Sequence, residues 1–532
     1  MAFRRLERRI DDFLTAPDLA EIRAPEKKAA WLFILLLAVY SVARGLMAAS
    51  ARPLWFDELL TLTIASQPNL HGMWSAITRG FDSQPPAFYL LERACLTLPI
   101  AKQIALRLPS ILAFPVLLLC VFTYVKRRNG EIIACLCAVL FFSTSLLQTY
   151  LTEARGYSLM MAWIGLALVC YQRLPSIRWV VLLGFSLILA GASHYFAVFA
   201  IIPFGLAEAV LSLSTRRVRW NVWTALACGT LPLMICWPLL GAMKTFYGAN
   251  AYARVNLSQV SEALGYYGSY FLTTHAFGLE LAAVSIAAIV WSYLWPKQTL
   301  LQPAGHQAGD FSEAALLLGL NVLPLIVFVL VSLTHGVLLE RHALPTTIGL
   351  AFGIALVLYT VRPEAIVLFA ILLFPTVGRQ EGSFWRHKGI KTLHAYSVQS
   401  PADFGQIQEF VQSGGHPDLP VVITQGMVYL QMVYYSPPEW TKRLVYLADS
   451  DKELAFEGTD TIVRAMVGLR DYSPVRVVNY GQFTTTQREF LVYSDGPGWI
   501  LENLSREAAS VRLLKLDKGR CLYLMQMRGL PE

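Results

Sequence analysis

Two adjacent carboxylates stand among aromatic and apolar side chains in Arg52-Pro53-Leu54-Trp55-Phe56-Asp57-Glu58. Ionisable groups in such company are costly, so function is the default reading. A carboxyl group beside apolar surface holds its proton more tightly than in water, which suits a general base. A solvated turn, or a helix N-terminus that favours acids, would account for the pair without chemistry. Further polar motifs follow. Phe81-Asp82-Ser83-Gln84-Pro85-Pro86-Ala87-Phe88-Tyr89 sets a rigid turn before an amphipathic stretch at 87–99. Arg107-Leu108-Pro109-Ser110, Thr152-Glu153-Ala154-Arg155-Gly156-Tyr157 and Glu340-Arg341-His342 come later. Glu153 and Arg155 could simply pair, but a planar guanidinium also fits a lipid phosphate. His194 and His275 read as hydrogen-bonded structure rather than metal ligands.

Elements that span a membrane must position these residues. Of 532 residues, 55% are hydrophobic and 15% charged, against about 25% charged in an average soluble protein. Apolar runs of ~20 residues recur, long enough to cross a hydrocarbon layer. Expected spans are 29–48, 104–125, 131–149, 157–172, 178–192, 195–213, 219–241, 276–296, 312–334, 343–361 and 363–377, about eleven by hydropathy. The net charge of +8 lies wholly in residues 1–377, which hold 27 Lys+Arg and 19 Asp+Glu; residues 378–532 hold 17 of each. Basic residues at 1–28, 126–128, 173/178, 216–219, 297 and 362 fall on one side if the spans alternate. Positive-inside sorting makes that side cytoplasmic and argues against nucleic-acid binding. The motifs then share the opposite face, in a first external connection at 50–103 and in later ones. Seven of the eight cysteines lie in or near apolar stretches, and Cys135-x-Cys137 reads as packing; Cys521 alone cannot staple a domain. Residues 378–532 read as a soluble α/β domain on the outer side, with strands near 420–424, 444–447, 489–493 and 521–524 and helices at 402–412 and 498–508. No internal repeat is visible.

The order of the motifs is the specific signal. Trp55-Phe56-Asp57-Glu58, Gln84-Pro85-Pro86-Ala87-Phe88-Tyr89, Arg107-Leu108-Pro109-Ser110, Glu153-Ala154-Arg155-Gly156-Tyr157, Ser193-His194-Tyr195 and Glu340-Arg341-His342-x-x-Pro345 together resemble the GT-C integral-membrane glycosyltransferases. They are closest to the family 39 group, with protein O-mannosyltransferases and lipid A aminoarabinose transferases. The resemblance covers about residues 30–377. It implies a polytopic α-helical GT-C protein that moves a sugar, with inversion, from a polyprenyl-phosphate donor to a lipid, glycan or protein acceptor. This would be a hexosyl- or pentosyltransferase of the EC 2.4 class, in a bacterial inner membrane.

The family's catalytic residue maps onto Asp57, with Glu58 its neighbouring acid. The lipid-phosphate leaving group needs charge stabilisation, for which Arg155, Arg341 and Arg107 are the candidates. Asp82, Tyr89, Glu153, Tyr157 and His342 are expected to line the substrate groove. Gln84 stands where relatives often have His, and Arg341-His342 where they often have Arg-Tyr. No cofactor is required by these residues. A divalent metal stays an open alternative because some GT-C enzymes use one, but no cluster demands it. A transporter or flippase of lipid-linked sugars is the competing class; inverted repeats and interrupted helices would mark it, and the sequence reads as having neither.

Overall fold

The first helix among the described residues, α1 (Leu19–Ala51), runs 33 residues, roughly 50 Å at 1.5 Å per residue, and so overshoots the hydrocarbon layer. The computed structural model describes residues 19–82, 84–261, 264–266, 307–360, 363–387 and 401–528. The expected span at 276–296, His275, Lys297, Arg362 and the N-terminal arginines up to Arg9 lie outside the described residues.

Three short helices, α2 (Phe56–Ala65), α3 (Leu70–Arg79) and α4 (Pro86–Cys95), build the long connection at 50–103. Asn69 caps α3 through Gly72 N at 2.8 Å. Pro86 opens α4, where a missing N–H costs nothing. Next comes α5 (Lys102–Asn129), ending on Lys126-Arg127-Arg128, cations that suit a helix C-terminus. After it come α6 (Glu131–Ser143), α7 (Ser145–Leu151), α8 (Tyr157–Tyr171), α9 (Ile177–Ser193), a 3-10 turn (Tyr195–Ala200), α10 (Ile201–Thr215), α11 (Trp220–Cys228), α12 (Leu231–Ile235) and α13 (Trp237–Tyr247). Past residue 306 stand α14 (Gln307–Asn321), α15 (Leu323–Leu333), α16 (Pro345–Thr360) and α17 (Pro363–Arg386).

Each expected span within the described residues is occupied by apolar helix, but the count of eleven is not reproduced by helix length. Among the described residues, Lys27–Ala51, Lys102–Asn129 and Tyr195–Thr215 are long and apolar enough to cross a membrane. Two further pairs qualify only together, Trp220–Ile235 with Trp237–Tyr247 and Phe311–Asn321 with Leu323–Leu333, bent by 47° and 57°. The uninterrupted helices expected there are thus corrected. Pro238 and Pro324 sit in the first turn of the second member of each pair, where a helix restarts more readily than it continues. Neither break carries an acidic or basic side chain.

Beyond 400, α18 (Pro401–Gln412) leads into a six-stranded sheet: β1 (Val421–Ile423), β2 (Leu444–Ala448), β3 (Val477–Asn479), β4 (Glu489–Ser494), β5 (Ala508–Asp517) and β6 (Arg520–Met527). The order is β3-β2-β1-β4-β6-β5. Strands β1 to β4 run parallel and β6 is antiparallel to both β4 and β5. Helix α19 (Gly426–Tyr435) follows β1 directly. The expected strands and helices of this domain are present; β3 and β5 are additional.

One apolar core runs through the membrane helices. A second joins Leu54, Phe56, Leu59, Leu60, Phe81 and Tyr89 of the connection at 50–103 to the sheet domain. The connection and the domain therefore share one face of the helical body. A polar knot ties α1 to α17. Arg44 Nε donates to Glu381 Oε2 at 2.8 Å and Oε1 at 3.1 Å, and Nη2 donates to Gln148 Oε1 at 2.7 Å. The Tyr40 hydroxyl donates to Glu381 Oε2 at 2.7 Å.

Removing one partner of a buried ion pair strands the other charge, at a cost of about 3–5 kcal/mol, whereas replacing both with apolar groups of similar volume is nearly neutral. Glu381→Leu should therefore lower the thermal midpoint of the detergent-solubilised protein. Arg44→Met combined with Glu381→Leu should recover most of the loss.

Candidate active site

Asp57 and Glu58 fall in the first turn of α2 and meet different surroundings. Glu58 is fully buried. Its Oε1 accepts from Arg107 Nε at 2.7 Å and from Ala154 N at 2.8 Å; its Oε2 accepts from Arg107 Nη2 at 2.5 Å and from Trp55 N at 3.1 Å. Burial alone would raise its pKa. The Arg107 charge, the Arg107 hydrogen bonds and the Ala154 amide outweigh it and hold the carboxyl below its ordinary value.

Arg107 donates also to Ala49 O at 3.1 Å, Arg52 O at 2.9 Å and Pro53 O at 2.9 Å. All five of its N–H groups are thereby engaged. This corrects the expectation that Arg107 binds phosphate, since no donor remains for a ligand. Glu58 is likewise closed to solvent and acts as the anchor of the connection.

Asp57 keeps 20% of its side chain exposed, and its Oδ2 lies 3.9 Å from Arg341 Nη2. Arg341 Nη2 donates to the Tyr252 hydroxyl at 2.8 Å. Arg155 Nη1 donates to Asp82 Oδ1 at 2.8 Å, Asp82 Oδ2 at 2.9 Å and Thr61 Oγ1 at 3.1 Å, and reaches the Asp57 backbone O at 3.4 Å. The Arg155–Asp82 pair is buried. Nε of Arg155 and Nε of Arg341 are both buried without a hydrogen-bond partner. Two guanidiniums with donor capacity left thus flank a partly open carboxylate.

The remaining expected residues divide. Tyr89 is fully buried, donates to Asp82 Oδ2 at 2.8 Å and accepts from Gln84 N at 3.2 Å. It orients Asp82 rather than lining an open groove. Glu153 is buried and its charge acts on Arg52. Tyr157 and His342 belong to an aromatic run in which Tyr150, Tyr157, His194, Phe196 and His342 follow at centroid distances of 4.7, 4.5, 5.7 and 3.8 Å.

His194 accepts Phe196 N at its Nδ1 (3.2 Å), and His342 accepts Leu339 N likewise (3.2 Å). A ring nitrogen that accepts leaves Nε2 to carry the proton. Burial, then the Arg155 and Arg341 charges, push His194 down to about 3. Burial, then Arg341 and His194, hold His342 well below its usual range. Both rings are neutral at physiological pH.

Backbone geometry brings the motifs together. The loop at 152–156 passes so close to the α9 turn that a Cβ on Gly156 would meet Ser193 O at 2.0 Å, so only glycine fits. Residues 253–255 pair with 336–338 through Val255 N to Gly336 O at 3.3 Å and Leu338 N to Ala253 O at 3.1 Å. That ladder delivers Tyr252 to Arg341. Tyr252 and Tyr247, which donates to Phe81 O, went unnoticed in the sequence. Their signal was the aromatic and basic cluster Phe246-Tyr247 to Tyr252-Ala253-Arg254 in the connection at 242–275. Among the described residues no group of three or more His, Cys, Asp or Glu is placed to hold a metal ion.

A second unexpected group is Glu92 on α4. It is fully buried, and neither carboxyl oxygen has a hydrogen-bond partner. Burial, then the Glu58 charge, push its pKa well above the ordinary value.

No protein-family model matches the chain, and no curated protein matches it in sequence. Among solved structures, the chain is similar to ArnT from Cupriavidus metallidurans bound to undecaprenyl phosphate, at a TM-score of 0.53 and 13% identity over 93% of this chain and 97% of that one. The apo-state structure of the same protein aligns at a TM-score of 0.46 and 15% identity, over 93% and 98%. At such identity the likeness establishes the fold. The chain has the GT-C architecture that the motif order implies.

Two outcomes follow from this geometry. Glu58→Gln leaves the Arg107 charge buried without a counter-charge, which should cost about 3–5 kcal/mol, read as a lowered thermal midpoint and reduced membrane abundance. Glu92 keeps its proton in the folded chain and loses it on unfolding. Its contribution is therefore fully present below its ordinary pKa of 4.5 and is lost progressively as pH rises above it. Glu92→Gln removes that loss, so the variant should gain on wild type by a few degrees in midpoint between pH 5 and 8, the gap widening with pH.

Proposed function

We propose that the chain is an inverting glycosyltransferase that moves a sugar from a polyprenyl-phosphate donor to a hydroxyl or amine of a lipid, glycan or protein. The observation that carries the reading is Asp57, a partly open carboxylate flanked by the Arg341 and Arg155 guanidiniums, on the face shared with the sheet domain. The fold supports it, since a structure of this fold holds undecaprenyl phosphate.

In the step proposed, the acceptor oxygen or nitrogen attacks the anomeric carbon while Asp57 takes its proton. The bond from that carbon to the phosphate oxygen breaks and its electron pair leaves with the lipid phosphate. Arg341 and Arg155 stabilise the departing anion. A single displacement inverts the anomeric centre and needs one base, which fits one open carboxylate with its neighbour Glu58 held in an ion pair. The Tyr157–His194–His342 wall, neutral throughout, offers the sugar or lipid an aromatic surface without competing for the phosphate.

The site face is read as extracytoplasmic and the N-terminus as cytoplasmic, from the Lys/Arg distribution; in a bacterium the membrane would be the inner one. The transporter reading gains nothing from the two bent helix pairs, because neither break carries a charged group for a substrate.

Deleting the gene in its host and comparing envelope glycolipids, glycans and glycoproteins by mass spectrometry should reveal a lost sugar mass. Wild-type chain should restore it. Asp57→Asn should lower its formation roughly 10²–10⁴-fold with an unchanged thermal midpoint. Restoration by Asp57→Asn would remove the base from the mechanism.

A further inference from the structure

Leu54 lies three residues before Asp57 and is fully buried. Its amide donates to the Tyr435 hydroxyl at 2.6 Å, and its carbonyl accepts from Gln431 Nε2 at 2.9 Å. Both partners come from α19 of the sheet domain, four residues apart and so on one helix face. The neighbouring peptide groups are held from elsewhere. Arg52 O and Pro53 O accept from Arg107, and Trp55 N donates to Glu58 Oε2. The peptide groups from Arg52 O to Trp55 N are thus held, in the middle by a domain whose residues lie almost four hundred positions later.

These two bonds are not simply what docking the domain requires. Docking has bonds of its own, from Gln67 Nε2 to Tyr472 O at 3.1 Å, Ser75 Oγ to the Tyr472 hydroxyl at 2.9 Å, Tyr252 N to Thr461 Oγ1 at 3.1 Å and Arg464 Nη1 to Phe246 O at 3.0 Å. Gln431 reaches Leu54 while its own Oε1 is buried without a partner. An orphaned buried acceptor is destabilising, and the bond this side chain does make is the amide donation to Leu54 O. The Tyr435 ring is set by stacking on Phe404, centroids 5.0 Å apart and 10° from parallel.

We propose that Gln431 and Tyr435 are positioning residues for Asp57, by which the C-terminal domain sets the placement of the base. The inference rests on the glycosyl-transfer reading. Placement errors near 1 Å cost roughly a hundredfold in rate, and a backbone clamp three residues from the base controls displacements of that size.

The test uses the full-length protein with Tyr435→Phe, Gln431→Met, the pair combined, and Ser75→Ala as a variant of the same domain interface away from Leu54. Tyr435→Phe keeps the ring on Phe404 and removes only the hydroxyl. Three readouts are taken: hydrogen exchange of the 52–58 peptide, affinity for undecaprenyl phosphate as the probe, and product formed in the deletion strain at matched membrane abundance. In the combined variant, exchange at 52–58 should quicken and product fall roughly ten- to a hundredfold, while lipid-phosphate affinity stays within about twofold. Ser75→Ala should match wild type in all three. Unchanged exchange, wild-type product, or lipid affinity falling in step with product would each overturn the inference. Wild-type product from Asp57→Asn would instead overturn the reading beneath it.

Discussion

The Glu58–Arg107 ion pair is the constraint on which the face carrying Asp57 depends. A carboxylate and a guanidinium are removed from water together, and every lone-pair direction and N–H that matters is met. The five donors of Arg107 reach the end of α1, the following turn and the start of α2 at once. Glu58 in return holds Ala154, one residue before Arg155. A single buried pair thereby fixes the distance between the segment that carries Asp57 and the loop that carries Arg155. Its Coulombic gain alone would not justify the desolvation of both ions; its effect is to leave one arrangement of the three segments.

Neighbouring acids take opposite parts because successive residues on a helix point about 100° apart. Once Glu58 is turned inward to Arg107, Asp57 must turn toward Arg341 and the open side. The guanidiniums divide in the same way. Arg107 is saturated by backbone and carboxylate, Arg155 is partly engaged by Asp82, and Arg341 is held by a tyrosine hydroxyl and a carboxylate at 3.9 Å. The gradient from closed to open runs from the helical body toward Asp57.

Much of this was legible in the residues. The motifs of four separate connections do lie together, and the apolar runs within the described residues are helical. Less legible was which arginine keeps free donors, because spacing records that a guanidinium is near but not what it already holds. Arg107 and Tyr89 were expected to meet substrate and are instead fully engaged within the protein. The breaks at Pro238 and Pro324 were visible as prolines, yet proline may open a helix as readily as it interrupts one. Strand β5 was missed because most of its residues are exposed and two register shifts, at Ala508/Ser510 and Leu513/Lys515, disrupt the alternation that would mark it. The Tyr252–Arg341 contact depends on a two-stranded pairing between distant loops, and the clamp on Leu54 on contacts 377 and 381 positions apart; no local pattern encodes either.

That separation bears on how the molecule comes into being. Leu54, just before the Asp57 turn, emerges in synthesis 377 positions ahead of Gln431, with helices α5 to α17 between them. Between the two events the early segment has Arg107 to hold it but lacks its second support. Contacts this remote in the chain form late, because closing so long a loop must precede any gain from it. If Gln431 and Tyr435 position Asp57 as proposed, a chain still lacking the sheet domain holds an unfinished centre, and competence arrives only when that domain docks.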